Sequence, residues 1–140
     1  MSALLQVENL SVSFRQEGRL TPAVRNISFS LNRGETVALV GESGSGKSVS
    51  ALSTVSLLGD SAVVSGSVKY AGQQMIGADE GPLRQVRGTD ISFIFQEPMT
   101  SLNPLHTIEA QIGEVIHLHS GVRGAMARAR ILELLTQVGI

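Results

Sequence analysis

Residues 36–58 read TVALVGESGSGKSVSALSTVSLL, and two changes of character within them decide the fold. Thr36 to Val40 is a continuous apolar run of the kind buried on both faces of a parallel sheet. Glycines follow at once, and Ser48 to Leu58 then suits a helix of modest propensity ending near Gly59. Between strand and helix, Gly41-Glu42-Ser43-Gly44-Ser45-Gly46-Lys47-Ser48 satisfies the G-x-x-x-x-G-K-[ST] pattern in full. Glycines let the backbone reach positive φ and approach phosphate oxygens, so that successive N–H groups form a nest for an anion. Lys47 can carry its ammonium to the outer phosphates, the Ser48 hydroxyl can ligate Mg²⁺, and the start of the helix adds partial positive charge. A chance match to this pattern is expected in well under ~1% of chains of this length. A dinucleotide fingerprint starting at Gly44 and Gly46 would need Gly or Ala at Val49, and fails there.

The loop is shared by kinases, GTPases and transport ATPases. No N-K-x-D guanine-reading tetrapeptide occurs in the sequence, which demotes the GTPase reading and leaves the others open. With 140 residues, 42% hydrophobic, the chain can build a real core. Its 11 basic and 12 acidic side chains give a net charge of -1, so no basic field invites nucleic acid. The absence of cysteine excludes disulfides, thiolate metal sites and a Cys nucleophile. The stretch MSALLQVENL has neither the charge nor the apolar length of a signal peptide, and no run of roughly 18 apolar residues offers a membrane span.

Upstream, LLQVENLSVSF (4–14) and AVRNISFSLN (23–32) are strand-like runs either side of a polar RQEGRLTP, which predicts a hairpin. In the second run Val24 faces one side, with Ile27 and Phe29 joining it only after a shift. Downstream, VSGSVKYAG (64–72) predicts a further strand, PLRQVRG (82–88) a short helix or turn, and ISFIF (91–95) a buried strand. Beyond Pro104 the period becomes helical: Ile108, Ile112, Val115, Ile116 and His119 share one face, as do Ala127, Ile131, Leu134, Leu135 and Val138.

Taken in order, VENLSVSF, NISFSLNRGETVALVGESGSGKS, GSVKYAGQ and IFQEPMTSLNPLHTI resemble the nucleotide-binding subunits of ABC transporters along the whole chain. The last stretch is most similar to dipeptide and oligopeptide importers, including the microcin C type peptide uptake ATPases, some of which carry two nucleotide-binding domains in one polypeptide. The resemblance implies an α/β fold: a P-loop NTPase (RecA-like) core with an N-terminal antiparallel β region and the start of an α-helical subdomain. Residues 1–96 would be the nucleotide-binding core and 97–140 the hinge and part of the helical subdomain.

The implied ligands are ATP and Mg²⁺, held by Gly41, Glu42, Ser43, Gly44, Ser45, Gly46, Lys47, Ser48 and Val49. Gln96 matches the Q-loop glutamine, whose uncharged amide can offer oxygen to Mg²⁺ or to the attacking water. With Lys47 it forms the catalytic expectation, and with Ser48 the metal expectation. Phe14 matches the ring that stacks on adenine, although alternation with Leu10 and Val12 also suits a core position. Pro98 and Pro104 restrict their predecessors to extended backbone and so define a joint. Met99, Leu102 and Leu105 in that joint match a surface that meets membrane subunits, or else belong to its core.

The implied partners are a second nucleotide-binding domain across ATP, transmembrane permease subunits and, indirectly, a peptide-binding protein, at the cytoplasmic face of the bacterial inner membrane. A non-transport ABC-type ATPase of DNA repair or translation, or a P-loop small-molecule kinase, is the alternative. The sequence departs from the family in three respects. None of Asp60, Asp79 and Asp90 ends an apolar strand, and neither the L-S-G-G-Q signature nor a strand-end histidine is present. His106 follows a proline turn, and His117 and His119 point to nearly opposite sides of a helix. The 140 residues are therefore expected to be a truncated piece of a longer domain, binding nucleotide poorly and hydrolysing nothing by themselves.

Overall fold

In the computed structural model, which describes residues 2–140, the predicted hairpin forms as β1 (Leu5–Gln16) and β2 (Arg19–Leu31). Gln16 lies opposite Arg19, so the turn is Glu17-Gly18 alone, with φ of 48° and 77°. Two positive-φ residues give a turn whose twist matches that of the strands, and the ladder therefore runs through polar residues that the sequence assigns to a loop. Pro22 is tolerated because β2 is an edge strand of the sheet order β2-β1-β3-β4.

Strict alternation fails along β1, where Val7, Leu10 and Val12 are all buried. Pairing shifts at Val7/Leu10 and again at Leu10/Val12, with Asn9 at φ 50° and Asn26 at φ 48°. These are bulges, and asparagine tolerates the left-handed region they require. Serines take up the displaced amides: Asn9 N–H donates to Ser28 Oγ (2.9 Å) and Asn26 N–H to Ser11 Oγ (2.9 Å). The bulge at Asn26 supplies the shift that lets Ile27 follow Val24 toward the core.

On the other side of β1 lies β3 (Ala62–Tyr70), which turns through Ala71-Gly72 into the short β4 (Gln73–Gln74). The helix after the glycines, α1 (Lys47–Ser53), packs against β1 and β2. It stops short of the expected Gly59, because Ser56 turns to φ 53° and the carbonyls of Val55 and Ser56 accept from the Arg87 guanidinium at 2.9 and 2.8 Å. Arg87 also bonds Glu80 (3.1 Å), tying this turn to α2 (Glu80–Val86). Val55, Val68, Met75, Leu83 and Val86 complete the core of this unit, which ends at Arg87.

The two expected parallel strands do not form. Residues 36–40 carry no strand structure, with Val40 92% exposed, and at 91–95 only Ile91 makes a bridge while Ile94 is fully exposed. A β-strand exists only where a neighbour accepts its N–H and C=O groups, and among the described residues the one sheet is the antiparallel four-stranded one. Local apolarity supplies no such neighbour.

The second compact unit, Gly88 to Ile140, is helical. Pro98–Ser101 makes a 3₁₀ turn, and α3 (Ile108–Ser120) and α4 (Gly124–Gln137) pack on each other, with Ala127 and Ile131 buried. Thr107 caps α3 by accepting from Ala110 N–H (3.1 Å), and Gly121 at φ 71° ends it. The sequence puts its functional boundary after Gln96, whereas compactness divides the chain after Arg87.

Candidate functional site

Lys47 organises the glycine loop. Its Nζ donates to the carbonyls of Gly41 (2.7 Å) and Glu42 (2.7 Å) and to Ser45 Oγ (3.2 Å), so the loop closes around the ammonium. Ser45 N–H donates back to the Glu42 carbonyl (3.2 Å), tightening the turn. Charge is thereby held at the centre of the loop by three oxygens, and the loop's amides other than that of Ser45 are left as donors.

Space requires glycine at Gly46, and φ requires it at Gly44 and Gly46. A Cβ on Gly41 would stand 2.6 Å from Ser45 Oγ, and one on Gly46 would stand 2.5 Å from the Ala23 carbonyl oxygen. Gly44 and Gly46 take φ of 78° and 93°, the left-handed region that side chains resist. Gly46 is also the N-cap of α1, so the loop's last residue rests on β2 while opening the helix. A groove of about 480 Å³ runs beside it, lined by residues of 22–27 on β2, by Leu39 and Val40, and by Ser45, Gly46, Lys47 and Ser50.

Ser43 and Ser48 are exposed and Val49 is half-buried. The Ser48 hydroxyl stands free at the second position of α1, as a magnesium ligand beside phosphate would need to. Phe14 is half-buried on β1 between Thr21 and Ala62, and the residues lining the groove do not include it. Gln96 belongs to the second unit, exposed on a segment without strand structure. The structure thus gathers Gly41, Glu42, Ser45, Gly46 and Lys47 into one constellation, and leaves the parts assigned to Phe14 and Gln96 resting on resemblance. Ala23, Val24 and Ser50 line the groove and escape a motif-based reading, since Ala23 and Val24 stand on β2, far from the loop in sequence, and Ser50 lies just past the motif on α1.

In the second unit, Gln111 braces the segment between the two prolines and α3. Its side chain accepts from Asn103 N–H (2.9 Å) and donates to the carbonyls of Asn103 (3.0 Å) and His106 (3.0 Å). In this stretch Met99, Leu102 and Leu105 are 77%, 42% and 87% exposed. They are not core residues of the joint. His119 pairs with Thr89 (3.1 Å) and His117 with Arg123 (2.9 Å), so the two rings serve different contacts.

The model of the ABC transporter family matches residues 24–140. The chain belongs to the ABC transporter family. Among curated relatives of this ABC chain, the peptidoglycan transport ATP-binding protein YejF of Agrobacterium fabrum is 58% identical over 98% of the chain and 26% of that protein. The oligopeptide transport ATP-binding protein AppD of Bacillus subtilis is 45% identical over 99% of the chain and 43% of that protein. The chain therefore spans between about a quarter and less than half of the length of these relatives. Among solved structures, the dimeric ATP-binding cassette MJ0796 bound to ADP and Pi is similar with a TM-score of 0.76 at 23% identity, over 94% of this chain and 56% of that one. The likeness is one of fold: a P-loop NTPase domain of the ABC type, with antiparallel sheet and helices. No helix among the described residues is long and apolar enough to cross a membrane.

Proposed function

We propose that this ABC chain is the ATP-binding part of a subunit that energises import of peptides across the cytoplasmic membrane. The observation that carries the proposal is the phosphate loop closed on Lys47, with glycines wherever a Cβ would collide. Such a loop fits a nucleotide triphosphate: amides and ammonium for the phosphates, the Ser48 hydroxyl for Mg²⁺. Mg²⁺ would neutralise charge on the phosphate oxygens, while Lys47 holds them and the amides of the loop orient them. Phe14 stacks on adenine in this reading, and Gln96 reports the outer phosphate to the helical unit. Peptide as cargo is supported by the names of the relatives, oligopeptide transport among them.

Met99 and Leu105, exposed on a loop held by Gln111, offer the surface through which permease subunits would be met at the cytoplasmic face. A second nucleotide-binding domain closing across ATP and, indirectly, a peptide-binding protein complete the assembly. The 140 residues contain no aspartate at the end of an apolar strand and no signature sequence, so turnover is not expected of them alone. The test is uptake by cells carrying the whole protein. Lys47→Ala should stop growth on a peptide that supplies a required amino acid, and the protein should co-purify with a permease. Undiminished uptake, or stable association with DNA or ribosomes in place of a permease, would sink the proposal.

A further inference from the structure

Ser50 is 3% exposed, one turn into α1, and both of its donors serve a single acceptor. Its N–H reaches the Gly46 carbonyl at 2.9 Å and its Oγ reaches the same oxygen at 2.8 Å. From the other side, Gly46 is backed by β2: its missing Cβ would lie 2.5 Å from the Ala23 carbonyl oxygen and 3.1 Å from Val24 Cγ2. Val24 is itself buried, so this backing is rigid. Gly46 is therefore clamped between a strand and a serine.

The peptide plane makes that clamp matter to the loop. In a planar trans peptide the carbonyl of one residue and the N–H of the next point in opposite directions. Drawing the Gly46 oxygen down toward Ser50 turns the Lys47 N–H outward, toward the loop. A carbonyl has two acceptor sites, and Ser50 fills both where the helix alone would fill one. We propose that Ser50 is a positioning residue for the phosphate loop, setting the Gly46–Lys47 peptide through the Gly46 carbonyl; the inference rests on the nucleotide-binding reading of that loop.

A plainer account is that any buried hydroxyl on a helix bonds a carbonyl of the preceding turn. Ser53 does this, donating to Val49 at 2.7 Å while 1% exposed. The difference is the acceptor, since Val49 lies within the helix and Gly46 in the loop. Ser53 is therefore an internal control.

The test uses the 140-residue chain and titrates Mg-ATP and, separately, tripolyphosphate, which has the phosphates without the base. Ser50→Thr and Ser50→Val are near-isosteric, and only the first keeps the hydroxyl. Ser50→Thr should bind both ligands within about twofold of wild type, and Ser50→Val about five- to tenfold more weakly, the effect of one hydrogen bond. Ser50→Ala should weaken both ligands likewise and Ser53→Ala neither, a comparison that holds should the valine variant fail to fold. Equal affinity of the Thr and Val variants, or equal losses from Ser50→Ala and Ser53→Ala, would overturn the positioning role alone. Wild-type binding that is absent or indifferent to Lys47→Ala would overturn the nucleotide site and this role together.

Discussion

At the scale of single residues, the phosphate loop is where sequence and structure agree most closely, because its chemistry is local. Eight consecutive residues carry their own instructions: glycine where φ is positive or a Cβ would collide, lysine to gather the loop's carbonyls. Gly46→Ala should therefore cost more than Gly44→Ala. The second meets only the left-handed backbone penalty of about 1–2 kcal/mol, with nothing within 4 Å of its new methyl group. The first adds a collision with the Ala23 carbonyl, and should lose phosphate affinity as well as stability. Denaturant unfolding with a nucleotide titration of each variant checks the order. Ser50 was not legible in the motif, since a serine at that point reads as an ordinary helical residue until its two bonds to Gly46 are seen.

At the scale of elements, legibility followed the range of the interactions. The β1–β2 hairpin was readable from its two apolar runs, but not its turn, because residues 15, 16 and 19–22 look like loop and ladder all the same. The tight Glu17-Gly18 turn explains this, and Gly18→Ala should cost about 1–2 kcal/mol through φ alone, its surroundings being open. Leu10→Ala, at a wholly buried site between two bulges, should cost about 2–5 kcal/mol in the same unfolding assay. In the second unit Thr107→Ala removes the cap of α3 and should cost about 1 kcal/mol, read as lost helicity and a lower melting temperature. Each of these changes leaves Lys47 and its bonds untouched. Helices α3 and α4 form where the helical period predicts them, because caps and period act within a few residues. The strands at 36–40 and 91–95 did not, since apolarity predicts burial but a ladder needs a partner strand that no local pattern can specify.

At the scale of the whole molecule, those unladdered segments have a consequence. Val40 and Ile94 stand 92% and 100% exposed in apolar segments that no strand pairs, and exposed apolar segments with open backbone groups are sites for association with another chain. The 140-residue chain should therefore self-associate, and the double change Val40→Lys with Ile94→Lys should shift it toward monomer in light scattering after size exclusion. An unchanged mass would show that these segments are not the contact. Family membership and fold come from the chain as a whole, while the function proposed for it rests on one loop. The most direct measurement of that claim is titration of the purified chain with Mg-ATP by calorimetry, beside Lys47→Ala. Weak but saturable one-site binding that Lys47→Ala abolishes, without turnover of the nucleotide, is the expected result. Binding that survives Lys47→Ala, or no binding by the wild-type chain, would contradict the account.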